Sequence, residues 1–218
     1  MQFLIEKICS LKNNNDFVND TIRQRMNDFA YYQNSNISKE ELFSELCFCL
    51  LTANYSSAGG IKIQKAIGQG FLTLSEAELA EMLNGLGHRF PNARAKFIVE
   101  ARRHLKNIPI ILKNIECERE EVREWFVENI KGFGYKEASH FLRNIGFKDY
   151  AVVDFHIVDV LNKHALLEGA GIERKKALNR KKYLYVEGVL RRLSESLNMS
   201  LAELDLYLWY LETGKVLK

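Results

Sequence analysis

A lysine and an aspartate, at positions 136 and 154, are the side chains whose types and positions best suit chemistry. Lys136 lies in the first turn of a helix predicted to begin near Tyr135, directly after a glycine-rich turn. The positive end of a helix dipole disfavours a cation there by a few tenths to about 1 kcal/mol. The same field favours the neutral amine, which is the nucleophilic form and can attack the anomeric carbon of a sugar to form a Schiff base. The alternative is a solvated lysine that touches a phosphate.

Asp154 follows the apolar pair Val152-Val153 and is predicted to open the next helix. Aspartate is among the best N-cap residues, so a helix cap is the simplest interpretation. A carboxylate that emerges from an apolar segment can also be partly desolvated. It could then stabilise an oxocarbenium-like centre or transfer protons. Spacing alone leaves both interpretations open.

The turn before Lys136 reads Lys131-Gly132-Phe133-Gly134. Two glycines around one residue let a backbone approach a ligand closely, and the following helix begins with unpaired amides and partial positive charge. Such an arrangement suits a phosphate, and amide contacts to phosphates position a protein on DNA without reading its sequence. Lys131 adds positive charge. The alternative is a plain turn between two helices.

Helical periodicity runs through the chain and defines the elements that must position these residues. Ser38-x-x-Glu41 and Ser75-x-x-Glu78 are capping boxes, and Ser200-x-x-Glu203 has the same spacing. Two amphipathic helices, near 118–129 and after the turn, form a helix–hairpin–helix. Further helices are predicted within 1–34, with a break near Asn13–Asn15, and at 60–68, 183–197 and 201–212. Residues 169–182 read as a basic, loop-like connection, either a solvated surface or a second contact to phosphate.

A loop at Gly87-His88-Arg89-Phe90 precedes Pro91, which suits a first helical turn. The sequence leaves two placements of Phe90 open, exposed on the loop tip or folded back onto the core. On the last helix Asp205 and Trp209 are four residues apart and lie on one flank. They could hold a base, by stacking and by accepting N–H groups, or the Trp could pack at a lobe interface.

Composition indicates a folded helical protein. The chain has 218 residues, 47% of them hydrophobic, with 2 prolines and a formal net charge of +3. The four cysteines are scattered at positions 9, 47, 49 and 117 and form no disulfide framework, zinc site or iron–sulfur loop. No signal peptide and no apolar run of about 20 residues is present. We therefore expect a cytoplasmic, soluble protein that is not bound to a membrane.

The stretch 130–161 resembles the signature of the helix–hairpin–helix DNA glycosylase superfamily. Its Gly-x-Gly turn, the lysine two residues later and the Val-Asp-x-His segment fall on Gly132, Gly134, Lys136 and Asp154. Leu51–Asn54, Gly87–Phe90 and the C-terminal segment 205–218 are similar to the archaeal-type (type 2) 8-oxoguanine DNA glycosylase/lyases. The absence of a four-cysteine iron–sulfur loop argues against the endonuclease III-like branch.

The resemblance implies an all-α, two-lobed fold with a central DNA-binding cleft, one lobe at 40–148 and the other at 1–39 with 149–218. It implies that Lys136 attacks C1′, that Asp154 is the catalytic aspartate, and that the lesion is 8-oxoguanine flipped out of the duplex. The remaining implied residues contact DNA or recognise the base. The DNA contacts are Lys131, Gly132, Phe133, Gly134, Asn54, Arg89 and Phe90; the base-recognition residues are Asp205, Trp209 and Lys218.

The sequence thus predicts a bifunctional glycosylase/AP lyase of base-excision repair that acts on double-stranded DNA with a damaged guanine, as a monomer. This chemistry needs no metal and no organic cofactor. Two alternatives stay open. The first is a glycosylase/lyase for oxidised pyrimidines, and the second is a non-catalytic helix–hairpin–helix module that only binds DNA.

Overall fold

The computed structural model describes residues 1–114, 119–172 and 178–218, and all the regular secondary structure in these ranges is helical. Short 3-10 turns at Tyr31–Gln33 and Arg102–His104 interrupt the helices. The α-helices, in chain order, are α1 (Gln2–Asn14), α2 (Asp16–Ala30), α3 (Lys39–Thr52), α4 (Ser57–Ile67), α5 (Gly70–Thr73), α6 (Glu76–Gly85), α7 (Pro91–Ala101), α8 (Ile108–Leu112), α9 (Arg119–Asn129), α10 (Tyr135–Asn144), α11 (Phe155–Lys163), α12 (Arg180–Leu197) and α13 (Leu201–Thr213). The all-helical prediction is confirmed. Cys117 and positions 173–177 of the predicted basic connection lie outside the described residues.

The chain divides into two compact units. One unit comprises Met1–Tyr31 together with Leu142–Lys218, and the other comprises Tyr32–Phe141. Both chain ends therefore belong to the same unit. The sequence predicts one lobe at 40–148, so both predicted boundaries lie a few residues later in the chain than those of the structure. The second boundary of the structure falls within α10.

The unit formed by Tyr32–Phe141 is built on α3. Ten consecutive or near-consecutive residues of α3 are buried, because this helix packs against α4, α5, α7 and α8. Its start is set by the predicted capping box, in which the Ser38 side chain accepts from the Glu41 amide at 3.2 Å and Glu41 Oε2 accepts from the Ser38 amide at 2.9 Å. A fully buried Phe or Leu contributes about 1.5–3 kcal/mol, so the buried side chains of α3 contribute substantially to the stability of this unit.

The helix–turn–helix in the same unit is held by aromatic packing. Phe126 of α9 and Phe141 of α10 are fully buried, with ring centroids 5.0 Å apart. The ring centroid of Phe133, in the turn, lies 6.5 Å from that of Phe141, and Phe133 is 8% exposed. The apolar stripes of both helices therefore meet beneath the turn, and the turn is a fixed part of the fold.

The unit formed by both chain ends is organised by α13, which packs against α2, α11 and α12. Leu201, Leu204 and Leu208 are buried on this helix and form its core-facing stripe. Leu211 is half-buried at its end. Ser200 caps α13 by accepting from the Glu203 amide at 3.1 Å. Across the described residues, no helix is both long and apolar enough to cross a membrane.

Candidate functional site

The two glycines of the hairpin turn have different roles. Gly132 has φ +91°, and a Cβ on it would lie 2.5 Å from a ring carbon of Phe97. Both the backbone conformation and the close approach of α7 therefore require glycine. Gly134 does not have a positive φ, and the nearest neighbour of a Cβ on it would be a carboxylate oxygen of Glu137 at 3.4 Å. The turn needs Gly132 for its shape, whereas Gly134 leaves room for another group.

That other group is the Glu137 side chain. Its Oε2 accepts a hydrogen bond from the Gly134 amide at 3.1 Å, and the Phe133 amide donates to the Ile130 carbonyl at 3.0 Å. These two amides are thus paired inside the turn. An incoming phosphate must use other donors, such as Lys131, or displace the Glu137 carboxylate from Gly134.

Lys136 lies in the first turn of α10, as predicted. Its side chain is 30% exposed, and its Nζ lies 3.6 Å from Oε1 of Glu137, whose side chain is 14% exposed. The Glu137 carboxylate therefore contacts both the Gly134 amide and the Lys136 amine, one with each oxygen. Lys131 is more exposed and its Nζ lies 3.4 Å from Oε1 of Glu100.

The loop residues predicted to contact DNA are exposed. Phe90 is 39% exposed, and the Arg89 guanidinium lies 5.0 Å from the centre of its ring. Of the two placements left open by the sequence, the structure has the exposed one. Pro91 is the first residue of α7, as predicted. Asn54 is exposed just after α3, with a left-handed backbone at φ +59°.

Asp154 is both a helix cap and a partner of Trp209. Its Oδ1 accepts from the amides of His156 and Ile157 at 2.9 and 3.0 Å, at the N-terminus of α11. Its Oδ2 accepts from Trp209 Nε1 at 3.4 Å. The cap interpretation is correct, and it holds one carboxylate oxygen in place while the other points to the indole of α13.

The two residues predicted on the flank of α13 have separate partners. Asp205 is 1% exposed and forms a buried ion pair with Arg143. Burial, together with the charge of Asp154, raises the pKa of Asp205 from 3.8 to about 6, although Arg143 acts to lower it. Trp209 is half-buried and bonds to Asp154. Lys218 is half-buried at the end of the segment that follows α13.

A protein-family model described as 8-oxoguanine DNA glycosylase matches residues 22–199. The chain belongs to the 8-oxoguanine DNA glycosylase family. It is 51% identical over 217 residues to the 8-oxoguanine DNA glycosylase/AP lyase of Korarchaeum cryptofilum, covering 99% of this chain and 98% of the relative. It is 52% identical over 215 residues to that of Methanocaldococcus jannaschii, covering 99% of each chain.

Solved structures of this glycosylase family have the same fold. The crystal structure of the Methanocaldococcus jannaschii 8-oxoguanine glycosylase/lyase, in complex with 15mer DNA containing 8-oxoguanine, matches with a TM-score of 0.90 at 51% identity, covering 99% of this chain and 100% of that one. The 8-oxoguanine DNA glycosylase of Thermotoga maritima matches with a TM-score of 0.88 at 41% identity, covering 100% and 99% of the two chains. The predicted helix–hairpin–helix glycosylase fold is confirmed.

Three side chains that hold the predicted site residues of this glycosylase were missed from the sequence. Glu137 stands three residues after Gly134, which is the spacing of a capping box and could have revealed it. The sequence shows His88 only as a loop residue, and its position directly before Arg89 is the one signal that could have indicated its role. Arg143 pairs with a residue 62 positions away, so no local pattern indicates its role. Within the described residues, no group of three His, Cys, Asp or Glu side chains is arranged to hold a metal ion.

Proposed function

We propose that this protein is a bifunctional glycosylase/AP lyase of base-excision repair that removes 8-oxoguanine from double-stranded DNA. The observation that carries the proposal is the amine of Lys136. It is 30% exposed at the start of α10, directly after the glycine turn. The chain around it is 51% identical to a protein crystallised with DNA containing 8-oxoguanine.

In the proposed reaction the neutral Lys136 amine attacks C1′ of a nucleotide that has been flipped out of the duplex. A bond forms between nitrogen and C1′ while the glycosidic bond breaks, and its electron pair leaves with the base, which takes up a proton. The nitrogen then loses a proton, its electron pair forms a double bond to C1′, the C1′–O4′ bond breaks and O4′ takes up a proton, which gives a protonated imine. Removal of a C2′ proton then expels the 3′ phosphate by β-elimination, and water releases the enzyme.

Asp154 is the second catalytic residue of this proposal. Its Oδ1 is held by two amides of α11, so the carboxylate cannot rotate freely. A fixed carboxylate stabilises positive charge on the sugar better than a mobile one because no reorganisation is needed at the moment of reaction. The Trp209 indole at 3.4 Å from Oδ2 fixes the second oxygen. The same carboxylate can move protons between the amine, the sugar and the base.

The proposed DNA contacts lie on the hairpin turn and on two loops of the Tyr32–Phe141 unit. Lys131 and the turn from Gly132 to Gly134 meet the phosphate backbone. Phe133 holds the shape of the turn through its buried ring, and the Gly134 amide reaches a phosphate that displaces Glu137. Asn54 and the exposed pair Arg89–Phe90 contact the duplex around the lesion. Each cation that neutralises a phosphate adds to the salt dependence of binding.

The proposed base contacts lie in the unit formed by both chain ends. Trp209 stacks on the damaged base, and Asp205 and Lys218 contribute polar recognition. Because the Asp205 carboxylate is already paired with Arg143, its role in recognition acts through that pair or requires it to open. Cytoplasmic, nucleoid-associated localisation and a monomeric state complete the proposal, and the chemistry requires no metal or organic cofactor.

Borohydride trapping tests the proposed nucleophile. Incubation with an 8-oxoguanine duplex and borohydride should link the wild-type protein covalently to DNA by reducing the Schiff base. Lys136→Gln should bind the duplex without cross-linking. Lys131→Gln is the matched control, because it removes an exposed lysine from the same turn and should still cross-link at saturating protein.

Two outcomes would contradict the proposal in different ways. Cross-linking of Lys136→Gln would assign the nucleophile to another residue. A wild-type protein that cross-links to none of a panel of damaged duplexes would be a DNA-binding module without catalysis. The same panel separates 8-oxoguanine from oxidised pyrimidines, because the preferred lesion gives the highest rate of excision under single-turnover conditions.

A further inference from the structure

We propose that His88 is a positioning residue that holds Arg89 and Phe90 in the conformation in which they contact DNA. This inference rests on the proposed function, in which the exposed Arg89–Phe90 pair touches the duplex at the lesion. His88 itself is 4% exposed and lies behind the two residues it precedes. It therefore acts through the loop and not by touching the substrate.

The hydrogen bonds of His88 define a single form of its ring. The Phe90 amide donates to Nδ1 at 3.0 Å, so Nδ1 carries no proton. Nε2 lies 3.0 Å from the Leu51 carbonyl, an acceptor, and must carry the proton. A neutral imidazole thus links the last turn of α3 to the backbone of Phe90. Burial lowers the pKa of His88, and the charge of Arg94 lowers it further, which is consistent with the neutral ring.

A second residue holds the other end of the loop. Tyr55 packs against the His88 ring with centroids 4.5 Å apart, and its hydroxyl donates to the Gly87 carbonyl at 3.1 Å. Gly87 has φ +81°, which turns the chain away from α6, and the His88 amide donates to the Leu83 carbonyl at 2.8 Å. Backbone groups of three of the four loop residues, Gly87, His88 and Phe90, are thereby hydrogen-bonded.

This anchoring matters because the side chain of Phe90 lies largely outside the core. The ring is 39% exposed and carries the Arg89 guanidinium 5.0 Å from its centre. An exposed aromatic ring on a flexible loop would spread over many orientations, and binding would have to restrict them at an entropic cost. The bond from the Phe90 amide to His88 fixes the backbone that carries the ring in advance, at the N-terminus of α7, and so removes the backbone part of this cost.

A double-mutant cycle between positions 88 and 90 tests the inference. His88→Leu keeps the buried volume but removes both hydrogen bonds, and Phe90→Ala removes the ring that the loop presents. We expect each single variant to lower single-turnover excision of 8-oxoguanine by roughly tenfold, because misplacing a contacting group by a fraction of an ångström is enough to slow the reaction. The double variant should be no slower than Phe90→Ala alone.

Two further variants separate positioning from folding. His88→Gln can donate and accept as the histidine does, and it should recover most of the lost rate. His104→Leu is the matched control, because His104 is a partly buried histidine of the same unit that packs against Trp125. Its effect should multiply with that of Phe90→Ala. Urea unfolding of every variant shows whether lost activity follows lost stability.

If His88→Leu is too unstable to assay, Tyr55→Phe serves in the same cycle, since it removes only the hydroxyl bond to Gly87. Multiplicative effects of positions 88 and 90, or of 55 and 90 in that case, would overturn the inference and leave the proposed function intact. A Phe90→Ala variant with wild-type excision would refute the proposed role of Phe90 and with it the inference. Excision that Lys136→Gln fails to abolish would instead refute the proposed chemistry.

Discussion

Replacing Arg143 by methionine would leave the buried Asp205 carboxylate without its counter-charge. In the wild-type protein burial already raises the pKa of Asp205 from 3.8 to about 6, although Arg143 opposes the rise. Without Arg143 the pKa of Asp205 must rise further. There is then a pH range in which Asp205 is protonated in the folded variant. In the same range Asp205 is ionised in the folded wild type and in both unfolded chains.

The sign and size of the effect follow from proton linkage. Stability falls with pH wherever the folded state holds a proton that the unfolded state has lost, by about 1.4 kcal/mol per pH unit. Near pH 5 Asp205 is mostly protonated in both folded proteins, so the variant loses only the contacts of Arg143. These include the packing of its guanidinium 5.1 Å from the centre of the Phe29 ring and its hydrogen bonds to Asn144. Those contacts contribute roughly 1–3 kcal/mol. Between about pH 6 and pH 8 the deficit should grow by up to about 3 kcal/mol.

Urea unfolding of wild type and Arg143→Met at about pH 5, 6, 7 and 8 measures this growth. Arg23→Met is the matched control, because Arg23 and its partner Asp20 are mostly exposed and such pairs contribute less than about 1 kcal/mol. A double variant Arg143→Met/Asp205→Leu removes both charges and should recover stability relative to the single variant at about pH 8. An equal deficit at every pH would refute the reasoning, because it would mean that Asp205 does not titrate in this range.

Three other predictions concern the catalytic and DNA-contacting residues. Asp154→Asn keeps the helix cap, so the free energy of unfolding should change by less than about 1 kcal/mol. Single-turnover excision should fall by roughly 100-fold or more. An unchanged rate would mean that Asp154 is only a helix cap. Gly132→Ala should destabilise the protein by at least about 1–3 kcal/mol in urea unfolding because of its φ of +91° and the 2.5 Å approach to Phe97, whereas equal effects of Gly132→Ala and Gly134→Ala would show that the strain is absent. Deleting Lys218 should slow lesion excision more than it weakens binding to undamaged duplex, and equal losses in the two assays would indicate misfolding.

Local interactions explain why so much of the helical framework could be predicted. The capping boxes at Ser38 and Ser75, the helix start at Pro91 and the cap at Asp154 all depend on residues within about four positions of one another. Each is found in the structure where the sequence placed it. The sequence also located Lys136 in the first turn of α10, since the glycine turn and the apolar periodicity on either side define that turn.

Side chains that are distant along the chain had to be brought together by packing before their roles could be seen. The sequence predicts Asp205 on the same flank of α13 as Trp209, whereas in the structure Arg143, 62 positions away, forms a buried ion pair with it. Trp209 meets Asp154 across 55 positions. Neither pairing has a periodic signature, because it depends on which faces of α10, α11 and α13 meet.

The amino-acid sequence by itself thus determined the helices, their caps, the family and the two candidate catalytic side chains, because these depend on local spacing and on a contiguous signature. The tertiary structure alone decided that Gly132 and not Gly134 is required for shape, since the reason is the nearby ring of Phe97. It also decided that Phe90 is exposed, because the His88 imidazole ties the backbone of this loop to the Leu51 carbonyl of α3 and the Tyr55 hydroxyl donates to the Gly87 carbonyl.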